Sequence, residues 1–146
     1  MGMKMAVVIC FCTLIAVIDV KTYRIPDLLL VCFAAVMAIL YRDDPLIMLR
    51  LFSSLTALLI FGAVFITTGG MGLGDVKYAV VLGYILNLDR LVPAFLISAL
   101  LALMVYTAGM LLFRWKKIVR IPFAPFLSCG AIAAIVCGLT LSGLLP

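Results

Sequence analysis

Long apolar runs separated by short polar stretches make up nearly the whole chain. Runs of about 17–25 residues mark helices that span a membrane, and shorter runs can span when flanking side chains reach the interface. The pattern predicts six such helices. They cover about Met5–Ile18, Pro26–Tyr41, Leu49–Thr67, Val76–Leu88, Leu91–Phe113 and Phe123–Leu145. The sequence therefore predicts an all-α membrane protein, a polytopic bundle forming one domain over residues 1–146.

A cluster of glycines separates the third run from the fourth. It reads Gly69-Gly70-Met71-Gly72-Leu73-Gly74-Asp75-Val76-Lys77. Glycine lets the backbone adopt a positive φ and lets another segment approach closely. Asp75 then opens an apolar run, where an acid is costly to bury without a functional reason. We interpret Asp75 as one half of a catalytic aspartate pair.

Composition agrees with a membrane protein and narrows the chemistry. Hydrophobic residues make up 68% of the chain and its mean hydropathy is +1.40, whereas soluble domains are roughly 45–50% apolar. The chain has no histidine and no glutamate. Nucleophilic sites with a histidine base and zinc sites with histidine ligands are therefore excluded, so a hydrolase of this sequence would use carboxylates or a Ser/Lys-type pair. The five cysteines form no C-x-x-C pair, so neither a metal nor another cofactor is expected.

Basic residues are unequally divided between the two sides of the predicted bundle, and their excess marks the cytoplasmic side. One side carries seven, namely Lys21, Arg24, Lys77, Arg114, Lys116, Lys117 and Arg120. The other side carries four, namely Lys4, Arg42, Arg50 and Arg90. The first side is therefore predicted to face the cytoplasm, with both termini outside. Lys21, Lys77 and the basic run from Arg114 to Arg120 are interpreted as anchors at the membrane interface, and no nucleic-acid partner is expected.

This topology places Asp19 and Asp75 near the same interface, one closing the first helix and the other opening the fourth. Two carboxylates that share a site cannot both ionise cheaply, so one keeps a proton. The ionised group can take a proton from water while the other donates a proton to a peptide carbonyl. Negative charge is favoured at a helix amino terminus and disfavoured at a carboxyl terminus. We therefore predict Asp75 as the base and Asp19 as its protonated partner.

Other interpretations of Asp19 and Asp75 stay open at this point. The two acids can be solvated helix ends without a catalytic role. In a small proton- or cation-coupled transporter or channel, intramembrane acids carry the ion and glycine clusters break the helices. A transporter places such acids near the membrane midplane, so their depth discriminates between the two functions. A structural member of a secretion complex would keep its function after loss of either aspartate.

Three segments of the chain, taken in order, form a recognisable set. They are Asp19-Val20-Lys21-Thr22-Tyr23-Arg24-Ile25-Pro26-Asp27, Gly70-Met71-Gly72-Leu73-Gly74-Asp75-Val76-Lys77-Tyr78-Ala79, and Ile121-Pro122-Phe123-Ala124-Pro125. In this order they resemble the motifs of the type IV prepilin and preflagellin peptidases, membrane aspartic peptidases with a Gly-x-Gly-Asp signature. The resemblance covers nearly the whole chain. It implies that Asp19 and Asp75 are the catalytic pair, and that Gly72 and Gly74 shape the backbone beside Asp75. Supporting or substrate-binding roles are predicted for Lys21, Pro26, Asp27 and Lys77.

The resemblance implies an endopeptidase that removes a short basic leader from pilin-like precursors at the cytoplasmic face of the inner (cytoplasmic) membrane. In this family the cut usually follows a glycine and precedes the precursor's hydrophobic helix. Larger bacterial members carry an extra helix and a C-x-x-C zinc module, and many also N-methylate the product. The chain resembles a short form without that module, for which methyltransferase activity is not expected. The proline-containing segments disfavour a signal-peptide peptidase, and the identity of the precursor and the oligomeric state stay open.

Overall fold

The structure, a computed structural model, describes residues 2–68, 71–112, 122–140 and 143. Its helices are α1 (Gly2–Thr22), α2 (Asp27–Leu40), α3 (Ile47–Thr68), α4 (Leu73–Leu112) and α5 (Ala124–Val136). No strand occurs in these ranges, which confirms the predicted all-α class. By length and composition, α1, α3 and α4 can each cross a membrane, whereas α2 and α5 are shorter apolar helices.

The helix bounds differ from the prediction at α1 and α4. Helix α1 continues to Thr22, so Asp19 and Lys21 lie inside its last turns rather than after its end. The predicted fourth and fifth helices form one 40-residue element, α4, in which Asn87 has non-helical backbone angles (φ 57°, ψ 167°). The sequence predicts a break between Leu88 and Leu91, whereas in the structure a kink at Asn87 alone redirects the chain.

The last helix is shorter than predicted. Helix α5 begins at Ala124 with Pro125 in its first turn, where a missing N–H is tolerated, and it ends at Val136. Gly138 follows with φ +63°, the left-handed conformation that commonly terminates a helix. Parts of the predicted features lie outside the described residues, namely Gly69, Gly70, the basic run 114–120, Ile121 and the end of the predicted sixth helix.

Helix α4 forms the centre of the bundle and packs against α2, α3 and α5, while α1 packs against α2 and α5. Glycines allow the closest approaches. A Cβ on Gly83 would lie 2.8 Å from the backbone oxygen of Ser53 in α3, and one on Gly130 in α5 would overlap Ala94 in α4. Small residues at such crossings are typical of membrane helices, because packing rather than water exclusion drives their association.

The burial pattern of α3 is that of a helix with one protein-facing side. Its buried residues are Arg50, Ser53, Ala57 and Phe61, spaced three or four apart. The other side exposes large apolar side chains, among them Leu59 at 65% and Ile66 at 81%. In water such a surface is a large apolar patch, whereas in a bilayer it meets hydrocarbon. The structure and the composition therefore describe a membrane protein.

A buried arginine secures α4 just before its kink. Arg50 is 6% exposed, and its Nη1 donates hydrogen bonds to the backbone oxygens of Tyr84 (3.2 Å) and Ile85 (2.8 Å). The intrahelical partners of these carbonyls lie beyond the non-helical Asn87, so the kink leaves them in need of donors. A cation at the carboxyl end of a helical segment is also favoured by the helix dipole.

Asp44, in the loop between α2 and α3, neutralises this arginine. Its Oδ2 lies 2.7 Å from Nη2 and 3.1 Å from Nε of Arg50, and the ring of Tyr41 lies 3.7 Å from the guanidinium carbon. The backbone N–H of Leu46 and then Arg50 hold the pKa of Asp44 below its ordinary value. Because the pKa of Asp44 is lower in the folded than in the unfolded protein, this carboxylate stabilises the fold at any pH above its unfolded pKa. That stabilisation is lost as the pH falls through the pKa of the folded state.

Replacing Gly83 with alanine is expected to lower the melting temperature of the purified protein. The added Cβ would overlap the Ser53 backbone, and shifting α3 to relieve such overpacking costs about 1–3 kcal/mol. Gly62→Ala is the matched control, because Gly62 is also helical and an added Cβ there meets nothing within 4 Å. Equal melting temperatures for the two variants would contradict the α3–α4 packing described here.

Candidate active site

A cavity of about 280 Å³ opens at the end of the bundle where α1 ends and α4 begins. Its walls come from the segment 23–27, which joins α1 to α2, and from the segment 72–77, which opens α4. Asp19 and Asp75 both line it. The structure thus brings together two acids that the sequence places on different helices, and it does so at one end of both helices rather than at their centres.

Asp19 is held by the beginning of another helix. Asp19 is only 4% exposed, and its Oδ2 accepts a hydrogen bond of 3.2 Å from the backbone N–H of Ala124, the first residue of α5. The N–H groups of a first helical turn have no intrahelical acceptor and favour negative charge. Asp19 therefore lies at the carboxyl end of its own helix but at the amino end of α5. This arrangement removes the reason for predicting Asp19 as the protonated partner.

Asp75 lies in the first turn of α4 and is partly buried. Its carboxylate turns back toward Gly72, where an added Cβ would lie 3.2 Å from Oδ2. A Cβ on Gly74 would lie 3.3 Å from the Cβ of Ile25, in the segment after α1. Neither glycine has a positive φ, so their role is close approach. Gly72 leaves room for the carboxylate, and Gly74 lets the start of α4 pack against the segment that follows Asp19.

The polar residues around the two acids divide into those at the cavity and those away from it. Asp19 and Asp75 both line the cavity, as expected for two carboxyl groups in one site. Lys77 and Asp27 form an exposed ion pair of 2.7 Å in the cavity wall. Pro26 is the N-cap of α2, and Lys21 is an exposed residue of α1. Among the described residues, no three acidic or thiol groups gather as a metal site requires.

Comparison with known proteins identifies the family. A model of the type IV leader peptidase family matches residues 6–107. The chain belongs to that family. It is also 32% identical over 130 residues to the prepilin leader peptidase/N-methyltransferase of Bacillus subtilis (strain 168), an alignment that covers 86% of this chain and 52% of that protein. The chain thus spans about half the length of this curated relative. No solved structure matches this chain.

Membership of the type IV leader peptidase family confirms the resemblance inferred from the motifs. The matched range includes Asp19, Asp75 and the glycines before Asp75, but it ends before the segment 122–125. The structure nevertheless connects that segment to the cavity, since the backbone N–H of Ala124 binds Asp19. Proline in the first turn of α5 helps to begin the helix at the point where this N–H is needed.

Sequence reasoning missed a buried set of polar groups beneath the cavity, formed by Tyr78, Ser128 and the backbone of Cys12. The hydroxyl groups of Tyr78 and Ser128 lie 2.8 Å apart, and Ser128 donates to the Cys12 carbonyl at 3.0 Å. A tyrosine one turn after Asp75 and a serine one turn after Ala124 were the available signals. Each is common in apolar helices, so only the fold shows that they meet.

Cysteines placed at positions 25 and 74 are expected to form a disulfide bond when the five native cysteines are replaced. The two Cβ atoms would lie 3.3 Å apart, close to the range of roughly 3.5–4.5 Å found in disulfides. Mass spectrometry of the oxidised protein without reduction measures the bond directly. Ile25→Cys with Val81→Cys is the control, since residue 81 lies about 10 Å further along α4 than residue 74. Equal bond formation in both pairs would contradict the close approach.

Proposed function

We propose that this chain is a membrane-embedded aspartic endopeptidase that removes the short basic leader of pilin-like precursors at the cytoplasmic face. The observation that supports it best is the cavity shared by Asp19 and Asp75 in a chain of the type IV leader peptidase family. A prepilin leader peptidase is also the activity in the name of the curated relative. The cavity of about 280 Å³ is of a size that admits a few residues of extended peptide.

The reaction requires only water and the two carboxyl groups. The ionised carboxylate takes a proton from a water molecule as the water oxygen attacks the peptide carbonyl carbon. The protonated carboxyl group donates its proton to the carbonyl oxygen, which gives a tetrahedral diol. Transfer of a proton to the amide nitrogen then lets the C–N bond break. Because both acids face helix amino termini, we treat them as a pair that shares one proton rather than assigning it to one residue.

The depth of the acids favours hydrolysis over ion transport. Asp19 lies near the end of α1, and Asp75 lies in the first turn of α4. A transporter needs acids near the midplane that can be reached from both sides. A peptidase that cuts beside a precursor's hydrophobic helix needs them where an extended peptide can enter from water. The position at one end of the bundle meets the second requirement.

The same proposal includes the arrangement in the membrane. We place the cavity end of the bundle in the cytoplasm, because Arg24 and Lys77 line the cavity and Lys21 is exposed nearby. The two parts of α4 on either side of Asn87 then serve as the fourth and fifth of six membrane segments, within one domain of Gly-x-Gly-Asp type in the inner membrane. The proposed partners are the lipid bilayer and pilin-like precursors.

Asp19→Asn and Asp75→Asn are each expected to lower the cleavage rate of a cognate precursor by roughly 10²–10⁴-fold. Asparagine keeps the size and hydrogen-bonding capacity of aspartate but removes the titrating proton. The measurement is the appearance of shortened precursor in membranes that contain equal amounts of each variant. Asp89→Asn is the matched control, because Asp89 is exposed and lies next to the kink of α4, far along the chain from the cavity wall. Cleavage at the wild-type rate by either active-site variant would overturn the aspartic mechanism.

Asp27 is expected to bind a basic residue of the leader in place of Lys77. Their ion pair is exposed and at the cavity, so an incoming ammonium group can exchange for Lys77. Asp27→Asn should raise KM roughly twofold to fivefold, the value of an exposed ion pair of about 0.5–1 kcal/mol. Lys77→Met should lower KM by freeing the carboxylate. With a precursor whose leader lysines are replaced by glutamine, neither substitution should change KM. If Asp27→Asn raised KM equally for that precursor, recognition of the leader charge by Asp27 would be contradicted.

A further inference from the structure

The helices that carry the two aspartates are joined through a third helix. Along the described residues, the backbones of α1 and α4 do not approach each other closely, although the Cys12 thiol lies near the Tyr78 hydroxyl, whereas both helices pack extensively against α5. Asp19 belongs to α1 and Asp75 to α4. The separation of the two carboxyl groups therefore depends on how α5 holds each of the other helices.

A buried chain of hydrogen bonds connects these three helices, with one member from each. The hydroxyl of Tyr78 in α4 lies 2.8 Å from Ser128 Oγ in α5, and Ser128 donates to the backbone oxygen of Cys12 in α1 at 3.0 Å. Ser128 has one hydroxyl proton, which it uses toward Cys12, so Tyr78 is the donor to Ser128. All three residues are at most 2% exposed.

This chain of hydrogen bonds lies directly beneath the aspartate pair. Tyr78 is three residues after Asp75, and therefore on the same side of α4 one turn below it. Cys12 is seven residues before Asp19, two turns along the same side of α1. Ser128 follows Ala124, the residue whose N–H binds Asp19, by one turn of α5. At 1.5 Å per residue, the hydrogen-bonded groups lie roughly 5–10 Å from the carboxyl groups along the helix axes.

Ser128 differs from other buried serines of the bundle in its choice of acceptor. Ser98 lies at the same α4–α5 interface, beside Gly130, and donates to Ala94 in its own helix. Ser128 donates instead to Cys12 in α1, and its oxygen stays available as the acceptor for the buried hydroxyl of Tyr78 in α4. A buried hydroxyl without a partner is costly, so the three groups favour one particular arrangement of the helices.

We propose that Tyr78 and Ser128 are positioning residues that set the separation of Asp19 and Asp75 by tying α4 and α1 to α5. The inference rests on the proposed function, since it assigns a role in the same reaction. Neither residue touches the cavity itself. Their effect is exerted on geometry, because catalytic groups must be held within about 0.5 Å of the productive arrangement.

The test is steady-state cleavage of a purified precursor by Tyr78→Phe, Ser128→Ala and the double variant. Each single variant is expected to lower kcat roughly 10- to 100-fold, with KM within about twofold of wild type, because a displacement of about 1 Å at the reacting groups has effects of this size. The double variant is expected to resemble the more impaired single variant, since both substitutions break one chain of hydrogen bonds. Tyr78→Phe removes one oxygen atom and keeps the ring, so its packing is preserved.

Ser98→Ala is the matched control. It removes a hydroxyl that is equally buried at the same helix interface but makes no connection to α1. Its kcat should stay within about twofold of wild type, and its melting temperature should fall less than that of Ser128→Ala, which also leaves the Tyr78 hydroxyl without its acceptor. An equal loss of kcat in Ser98→Ala would show a general loosening of the bundle and would overturn the positioning role.

The outcomes also separate this inference from the proposed function. If Asp19→Asn and Asp75→Asn are inactive but Tyr78→Phe keeps the wild-type kcat, the aspartic mechanism stands and the positioning role is overturned. If the two aspartate variants cleave the precursor normally, the proposed function fails and the positioning role fails with it. A selective loss of kcat in Tyr78→Phe, together with inactive aspartate variants, supports both.

Discussion

The cavity end of this protein depends on the amino terminus of α5 lying against the carboxylate of Asp19. A buried acid in an apolar bundle needs donors, and the first N–H of α5 is one that the helix itself cannot use. The contact also determines how α5 is placed, because its first turn must reach the last turns of α1. With α5 fixed there, its remaining length packs along α4 and carries the start of α4, with Asp75, toward the same cavity.

At the opposite end of the bundle, backbone carbonyls rather than N–H groups need a charged partner. At the cavity, backbone N–H groups meet carboxylates, whereas at the kink of α4 backbone carbonyls meet the guanidinium of Arg50. Asp44 then neutralises the arginine from a loop where its carboxylate can reach water. Both arrangements place a side-chain charge where a helix terminus leaves unpaired backbone groups. The kink and the cavity are therefore consequences of the same electrostatic rule applied to opposite ends of the helical segments.

The sequence predicted the all-α class, the break near residue 87 and the position of Asp19 and Asp75 at one end of the bundle. Each of these depends on local composition or on an order of motifs. It did not predict that one residue would make the break, since backbone angles at Asn87 depend on what packs against α4. It assigned Gly72 and Gly74 to backbone shaping, but their neighbours, the Asp75 carboxylate and Ile25, are known only from the fold. Contacts between distant helices, such as Tyr78 with Ser128, leave no pattern in a single sequence.

The most informative difference between prediction and structure concerns the surroundings of the two acids. The prediction that separated them used the helix on which each lies, and by that measure Asp19 is at an unfavourable carboxyl terminus. In the structure the helix that matters for Asp19 is α5, which reaches it from elsewhere in the chain. Both carboxyl groups thus face helix amino termini, and local helix direction no longer distinguishes base from acid. In the proposed mechanism the two residues therefore act as one unit, and α5 is the helix that holds Asp19 in it.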